Sequence, residues 1–438
     1  MKSLTQKSGP RLQGKRVAVV GAGRSGVAAA RLARAAGAGV RLLERTASAL
    51  APHMQDELQA SGVELRIGEH AAQYFSDAEL VILSPGIPAR DILPLLPDQE
   101  EIPVVSELEM ASWFVSEPVI AVTGSNGKTT TVCLISRIFE SQGWDVFLGG
   151  NIGTPLSEYV RKQERADLVI LEVSSFQLQN TSTFRPSISV FLNFSLNHLD
   201  YHLDIQEYWQ AKTRIFVNQD LGDTAILPGE WRDREIEPLK DRVRKVYIEG
   251  CDDFGCPHLL GGHNRMNMEA ASLACGCFGI EQEQASAAMR TFQGRPHRLQ
   301  LIREVDGLQF VDDSKATTLE AQEAALKSFQ APILLLAGGR FKGGRPERLA
   351  ELIADRVKVV GLFGESRELF SEAWKDCAPL FWEPTLEKAF HRIVSLAAGG
   401  DVILLSPGTS SFDLFENYEQ RGRAFSDLVR GYRSGPAA

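Results

Sequence analysis

The sequence predicts an α/β protein of three domains, and three observations carry that expectation. Short apolar runs alternate with longer amphipathic stretches, the pattern of parallel sheets wrapped by helices. Two of those runs lead through glycine-rich turns, Gly21–Gly26 and Gly124–Gly127, into helices. Two breaks, the Pro-rich stretch Pro85–Pro103 and the turn Gly294-Arg295-Pro296, divide the chain near residues 105 and 296. At 438 residues the chain has room for about two to four domains, each able to bury its own core.

The first block, 1–105, opens with a strand at Arg16–Val20, a glycine turn and an Ala-rich helix. Further strands are expected at Val40–Leu43 and Leu80–Leu83, and Ser106–Val115 reads as a connecting helix. The central block, 106–296, has strands at Pro118–Val122, Leu168–Val173 and Ile188–Asn193 and a helix from Lys128 to about Ser141. Its stretch Trp231–His258 is charged and reads as irregular, followed by helices from Asn264 and over Gln282–Phe292. The last block, 297–438, has strands near Leu308–Val311, Ile333–Leu336, Val357–Leu362 and Val402–Leu405, then a helix over Phe412–Val429. An apolar run ending in Ser-Pro-Gly occurs twice, at Ser84–Gly86 and Ser406–Gly408, each at the C-terminal end of a strand. Ligands of open α/β sheets bind there.

Composition narrows the function. Acidic residues outnumber basic ones, 56 to 47, and a net charge of −9 argues against binding nucleic-acid backbones. Cys133, Cys251, Cys256, Cys275, Cys277 and Cys377 follow no metal-ligand spacing and read as reduced thiols of a cytoplasmic protein. Met1–Arg16 has no apolar signal-peptide core, and no apolar run is long enough to predict a membrane span.

The chemistry sits in strand-end loops. Gly21-Ala22-Gly23-Arg24-Ser25-Gly26 fits GxGxxG, with Glu44 downstream, and suits a nicotinamide dinucleotide, another nucleotide or nucleotide-sugar, or a structural turn. Thr123-Gly124-Ser125-Asn126-Gly127-Lys128-Thr129-Thr130 is a shortened phosphate loop, because Val122 stands where GxxxxGK[ST] needs its first glycine. Its backbone N–H groups can cradle phosphates, Lys128 can meet the β/γ phosphates and Thr129 can hold magnesium. Glu172, at the end of an apolar strand, is either a magnesium-holding carboxylate or a surface strand end. Asn197-His198-Leu199-Asp200 follows the next strand, where His198 suits a metal or substrate role. Lys212 falls on the apolar face shared by Ile205, Tyr208, Trp209, Ile215 and Phe216. It must snorkel, be paired or be chemically altered. Asn264 and Asn267 share one helical face, as a cap or as contacts to a nucleotide. Arg298, at the second break, can reach phosphates. Asp312-Asp313-Ser314-Lys315-Ala316-Thr317, Gly338–Gly344 and Ser406–Ser411 form three further strand-end loops, suited to a small anion such as a carboxylate.

Together these motifs resemble the Mur ligases, the ATP-dependent amino-acid ligases of peptidoglycan precursor synthesis. The resemblance runs through TGSNGKTT (123–130), GNIG (150–153), LEVSSFQL (171–178), NHLDYH (197–202) and YWQAKTRIF (208–216). It continues through GGHNRMN (261–267), GRPHR (294–298), DDSKAT (312–317), GGRFKGG (338–344) and SPGTSSFDLFENYEQRG (406–422). SSFQL, DSKAT and FENYEQRG are most similar to the branch that adds D-glutamate to UDP-N-acetylmuramoyl-L-alanine. Many relatives have Phe where Tyr418 stands and Ala where Gly408 stands.

The resemblance implies Rossmann-like N- and C-terminal domains around a central P-loop parallel sheet. It implies a cytoplasmic, monomeric ligase acting on small molecules in cell-wall synthesis, and hence in cell shape and division. ATP and magnesium, two ions at full occupancy, would drive an acyl-phosphate route. Gly124, Ser125, Asn126, Gly127, Lys128, Thr129, Thr130, Asn264, Asn267, Arg298 and Asp313 would serve ATP. Thr129, Glu172, His198 and a carbamylated Lys212 would serve the metal, with Lys128, Glu172, His198 and Lys212 as the catalytic set. Arg24, Ser25, Gly86, Asn151 and His198 would hold the UDP-sugar, and Lys315, Thr317, Lys342, Ser411 and Tyr418 the glutamate. The rival readings are another Mur ligase or a folate polyglutamate ligase, a nicotinamide oxidoreductase, and a nucleotide-driven switch. The oxidoreductase leaves Lys128, Glu172 and Lys212 without a role, and the switch predicts ATP turnover with no need for a carboxylate or amine.

Overall fold

A computed structural model describes residues 6–97, 102–195, 201–250, 254–256, 259, 262–292, 296–341 and 343–433. Asn197, His198, Leu199, Asp200, Cys251 and Lys342, singled out above, lie outside the described residues.

Three sheets form the described chain. The first contains β1 (Arg16–Val20), β2 (Gly39–Glu44), β3 (Val63–Ile67), β4 (Leu80–Leu83) and β5 (Val104–Ser106), all parallel, in the order β3-β2-β1-β4-β5. The second contains β6 (Val119–Thr123), β7 (Val146–Gly150), β8 (Leu168–Glu172), β9 (Ile188–Phe191), β10 (Thr224–Pro228) and β11 (Arg244–Ile248). These too are all parallel, in the order β11-β10-β9-β6-β8-β7. The third contains β12 (Gln300–Val305), β13 (Leu308–Asp312), β14 (Ile333–Gly338), β15 (Val357–Phe363), β16 (Leu380–Glu383) and β17 (Val402–Leu405), in the order β12-β13-β17-β14-β15-β16. Only β12 is antiparallel there, against β13. The three-domain α/β expectation holds, with an antiparallel edge added to the third sheet.

Interior strands are buried on both faces because side chains alternate. Along β1, Val17 and Val19 join one core while Ala18 and Val20 join another. Along β17, Val402 and Leu404 divide from Ile403 and Leu405 in the same way.

The chain packs as two compact units. One is Met1–Phe254 with Arg265–Met289, holding the first two sheets; the other is Gly255–Asn264 with Arg290–Ala438. Within the first unit, helix Glu107–Ser112 joins the sheets and is shorter than expected. Ser106 caps it, accepting from Glu109 N at 3.2 Å. Glu109 is buried and accepts from the N–H groups of Ser182, Thr183 and Phe184 and from the Thr183 hydroxyl at 2.6 Å. Burial alone would raise this carboxyl, but the Thr183 hydroxyl, the Trp113 indole and the backbone donors hold it below the usual range. Glu109→Gln is expected to cost about 2–3 kcal/mol, because an amide turns one acceptor into a donor facing donors. A lowered folded-state value means the stabilisation is present above the ordinary carboxylate range and lost as pH falls through the folded value. Urea midpoints of wild type and variant should therefore differ at neutral pH and converge in acid. Equal midpoints at neutral pH would contradict this account.

Two helix expectations are corrected. The last helix begins at Tyr418, not Phe412, because the Asn417 side chain accepts from Gln420 N at 2.8 Å and caps it there. Ile205 opens helix Ile205–Thr213 but is 42% exposed, so the apolar face around Lys212 begins at Tyr208. The stretch Trp231–His258, expected to be irregular, contains the edge strand β11.

Candidate active site

In the first unit the site is built at the C-terminal ends of three adjacent strands, β9, β6 and β8. The phosphate loop leaves β6 with Gly124 at φ +146° and Gly127 at φ +84°. Gly127 caps helix Lys128–Ser141 in a left-handed conformation that suits glycine. A Cβ on Gly127 would also stand 2.3 Å from Asn267 Oδ1. Asn267, on helix Gly262–Gly276, therefore lies directly against the loop. Asn264, in the first turn of that helix, is buried and belongs to the second unit.

Thr129 Oγ1 donates to Glu172 Oε2 at 2.6 Å, and Asn151 Nδ2 donates to Glu172 Oε1 at 2.7 Å. Glu172 is 3% exposed, and its two oxygens face neutral donors. No cation lies within ion-pair distance of it among the described residues. A buried carboxylate held ready by neutral donors fits a divalent cation, which would complete its charge. Asn151 was expected at the UDP-sugar; in the described structure its amide orients Glu172, and its own N–H bonds Glu172 O at 2.8 Å.

Lys128 Nζ donates to Gly124 O at 2.7 Å and Ser125 O at 3.0 Å. Lys212 Nζ donates to the same Gly124 O at 2.8 Å and stands 4.8 Å above the Tyr208 ring. Lys212 is 1% exposed. Burial drives its amine well below the ordinary lysine value; the Lys128 ammonium lowers it further, and Glu172 opposes in part. Two ammonium groups on one carbonyl repel, which further disfavours the charged form of the more deeply buried Lys212.

Several partners were not anticipated. Asn193 accepts from Asn126 N at 2.9 Å and donates to Asn126 O at 3.1 Å, pinning the loop from the end of β9. Tyr208 OH lies 3.2 Å from Ser125 Oγ, which donates to Ser195 O at 3.0 Å. His202 is buried, with Nε2 2.9 Å from Ser175 Oγ. Asn193 was legible only as a strand-end polar residue, and Tyr208 only as part of an apolar stripe.

The glycine loop of the first sheet follows β1. A Cβ on Gly26 would stand 1.8 Å from Gly21 O, so the helix could not pack without glycine there. Glu44 Oε2 accepts from Ala22 N at 2.7 Å, which engages one loop N–H internally. Arg24 Nη1 donates to Gly153 O at 3.1 Å, linking this loop to the GNIG segment of the second sheet. Ser25 is half-buried, and Gly86, at φ +98°, faces open space at the end of β4.

In the second unit, three loops converge at the ends of adjacent strands β13, β17 and β14. Asp313 accepts from Ser406 Oγ at 2.9 Å and from Leu299 N at 3.2 Å. Burial raises its carboxyl to about 7, against those two donors. Lys315 Nζ lies 3.8 Å from the centre of the Tyr418 ring. Ser411 is buried, Thr317 half-buried and Arg298 exposed. His297, at φ +66°, holds Nδ1 2.7 Å from Asp312 Oδ2, and a Cβ on Gly422 would strike that nitrogen at 2.0 Å. Arg421 was missed. It is fully buried and donates to Ser314 Oγ at 3.0 Å, Ser314 O at 2.9 Å and Thr409 O at 3.1 Å. Burial lowers its guanidinium to about 10.

Known proteins match nearly the whole chain. Three family models match: Mur ligase MurD-like, N-terminal domain, at residues 15–106; Mur ligase middle domain, at 122–253; and Mur ligase, glutamate ligase domain, at 297–408. A UDP-N-acetylmuramoylalanine–D-glutamate ligase of Nitratidesulfovibrio vulgaris (strain DP4) is 49% identical over 94% of this chain and 95% of its own. Proteins of the same name from Lawsonia intracellularis and Oleidesulfovibrio alaskensis are 47% and 44% identical, over 94% and 98% of this chain and 94% and 97% of their own. Among solved structures, a MurF ligase from Thermotoga maritima in complex with ADP superposes with a TM-score of 0.58 at 16% identity, over 90% of this chain and 95% of its own. A UDP-N-acetylmuramate-alanine ligase from the same organism gives 0.55 at 16% identity, over 95% and 99%. At that identity both speak to the fold alone.

Proposed function

The chain belongs to the Mur ligase family, and from that premise we propose that it joins D-glutamate to UDP-N-acetylmuramoyl-L-alanine at the expense of ATP. It is a ligase of peptidoglycan precursor synthesis. The observation that carries the reading is the loop carbonyl shared by Lys128 and Lys212 beside a buried Glu172. Phosphate binding and a chemically altered lysine account for that arrangement together.

In this reading the substrate carboxylate attacks the γ-phosphorus of ATP and the bond to ADP breaks. The amine of glutamate then attacks the acyl carbon, phosphate leaves and the nitrogen sheds a proton. Lys128 leaves its loop carbonyls to hold phosphate oxygens, and loop N–H groups share the charge. Magnesium, when bound, neutralises phosphate charge; Thr129 and Glu172 would hold one ion, and His198 with a carbamylated Lys212 would serve a second. The neutral Lys212 amine attacks CO2, a nitrogen–carbon bond forms and one proton leaves. A buried cation thereby becomes an anion suited to a metal.

Asn264, Asn267, Arg298 and Asp313 are assigned to ATP, and Arg24, Ser25, Gly86 and Asn151 to the UDP-sugar. Lys315, Thr317, Lys342, Ser411 and Tyr418 are assigned to glutamate. Domain limits near residues 105 and 296 fit the three separate sheets. Among the described residues no helix is long and apolar enough to cross a membrane. We read the protein as a cytoplasmic monomer, in keeping with its acidic charge and with Cys133, Cys256, Cys275, Cys277 and Cys377, which form no disulfide among the described residues.

The test is phosphate release from ATP in the presence of UDP-N-acetylmuramoyl-L-alanine, with D-glutamate, L-glutamate or neither. Release that depends on D-glutamate, with a product heavier by one glutamyl residue, is expected. Release with the L-isomer alone would overturn the stereochemical assignment, and release without any amino acid would favour a switch.

A further inference from the structure

We propose that Gln322 is a positioning residue for the amino-acid pocket, coupled to Gly408 as a steric pair; this rests on the assignment of that pocket to glutamate. Gln322 lies on helix Leu319–Leu326, which follows the loop carrying Lys315 and Thr317, and it is fully buried. Its Nε2 donates to Ser406 O at 2.7 Å, across to the loop that leaves β17 and carries Ser411. A second tie runs the same way, from Gly408 N to Ala316 O at 2.9 Å. The Gln322 amide and this backbone bond thus join the two loops assigned to glutamate, beside the Ser406 hydroxyl on Asp313 and the Arg421 guanidinium that bridges Ser314 and Thr409.

Gly408 turns this loop at φ +69°. A Cβ there would stand 2.6 Å from Gln322 Oε1 and 2.9 Å from its Cδ. The Gln322 amide therefore fills the space that a side chain at 408 would need. Its Oε1 is buried and makes no hydrogen bond, as is Thr409 Oγ1 on the next residue. Unmet buried acceptors cost free energy. With Oε1 unmet, the amide is held by its Ser406 bond and by packing, not by a fully satisfied polar network. A larger residue at 408 would push the amide away, release Ser406 and shift the loop that bears Ser411.

Two kinds of variant test this. Gln322→Met keeps the length of the side chain and removes the donor. It should raise KM for D-glutamate about tenfold, the worth of one hydrogen bond, with KM for UDP-N-acetylmuramoyl-L-alanine within about twofold of wild type. Gly408→Ala should raise KM for glutamate at least about tenfold alone, and clearly less when Gln322 is also alanine, since close pairs do not add. Equal penalties for Gly408→Ala in the two backgrounds would overturn the coupling. Parallel rises in KM for every substrate would overturn the positioning role. If wild type shows no glutamate-dependent phosphate release, the functional assignment fails separately. The pair is then read from thermal unfolding: a Gly408→Ala loss in Tm smaller in the Gln322→Ala background supports coupling, and additive losses reject it.

Discussion

Lys212→Ala will lower glutamate-dependent phosphate release by about 10²–10³-fold, the loss expected when one preorganised charge leaves a desolvated site. Short carboxylic acids such as formate or acetate will restore part of it. The reasoning begins with burial. Lys212 is 1% exposed and donates to the carbonyl of Gly124, which also accepts from Lys128. Burial drives its amine well below the ordinary lysine value, which favours the neutral form. A neutral buried amine reacts with CO2, and an ammonium does not. Alanine leaves a gap beneath the loop in which a free carboxylate can stand for the lost carbamate. Wild type incubated with carbon-13 bicarbonate should show a carbamate carbon resonance that the variant lacks. Retained activity with no acid response and no resonance would sink the idea, and leave Lys212 as a strut under Gly124.

Glu172→Gln will reduce activity by a similar factor of about 10²–10³ while leaving the fold intact. The amide matches the carboxylate in shape and can keep one hydrogen bond, from Thr129 Oγ1 or Asn151 Nδ2. It cannot supply the negative charge that a divalent cation needs. The magnesium concentration for half-maximal rate should therefore rise at least about tenfold, with Tm nearly unchanged. Asn151→Ala should move the magnesium requirement in the same direction by less, because it removes only an orienting bond. A Glu172→Gln protein with an unaltered magnesium requirement would mean that the carboxylate merely ties the GNIG segment to the phosphate loop.

Legibility in the sequence followed burial. The strands read correctly from apolar runs, β1, β2, β4, β6, β8, β9, β13, β14, β15 and β17, all lie inside sheets. The strands that escaped notice were β3, β5, β7, β11, β12 and β16, each a sheet edge, together with interior β10. An interior parallel strand is covered on both faces and must be apolar throughout, whereas an edge strand tolerates polar residues. RKVYI in β11 and QLIREV in β12 show this, since their charges hide the strand within a polar stretch. Of the site, glycine turns and strand-end polar residues were legible because phosphate binding needs bare backbone at a helix start. Arg421, Asn193 and Gln322 were not, because each acts on a backbone group far away in sequence.

The sequence by itself determined the α/β class, the three sheets and the family, through short motifs whose chemistry is local. Only the tertiary structure decided that Lys212 and Lys128 share the Gly124 carbonyl, that Asn151 orients Glu172 and that Gln322 fills the space beside Gly408. Those facts depend on distances between strand ends separated by tens of residues. Periodicity can say which face of an element is buried, but only packing says which buried group meets which.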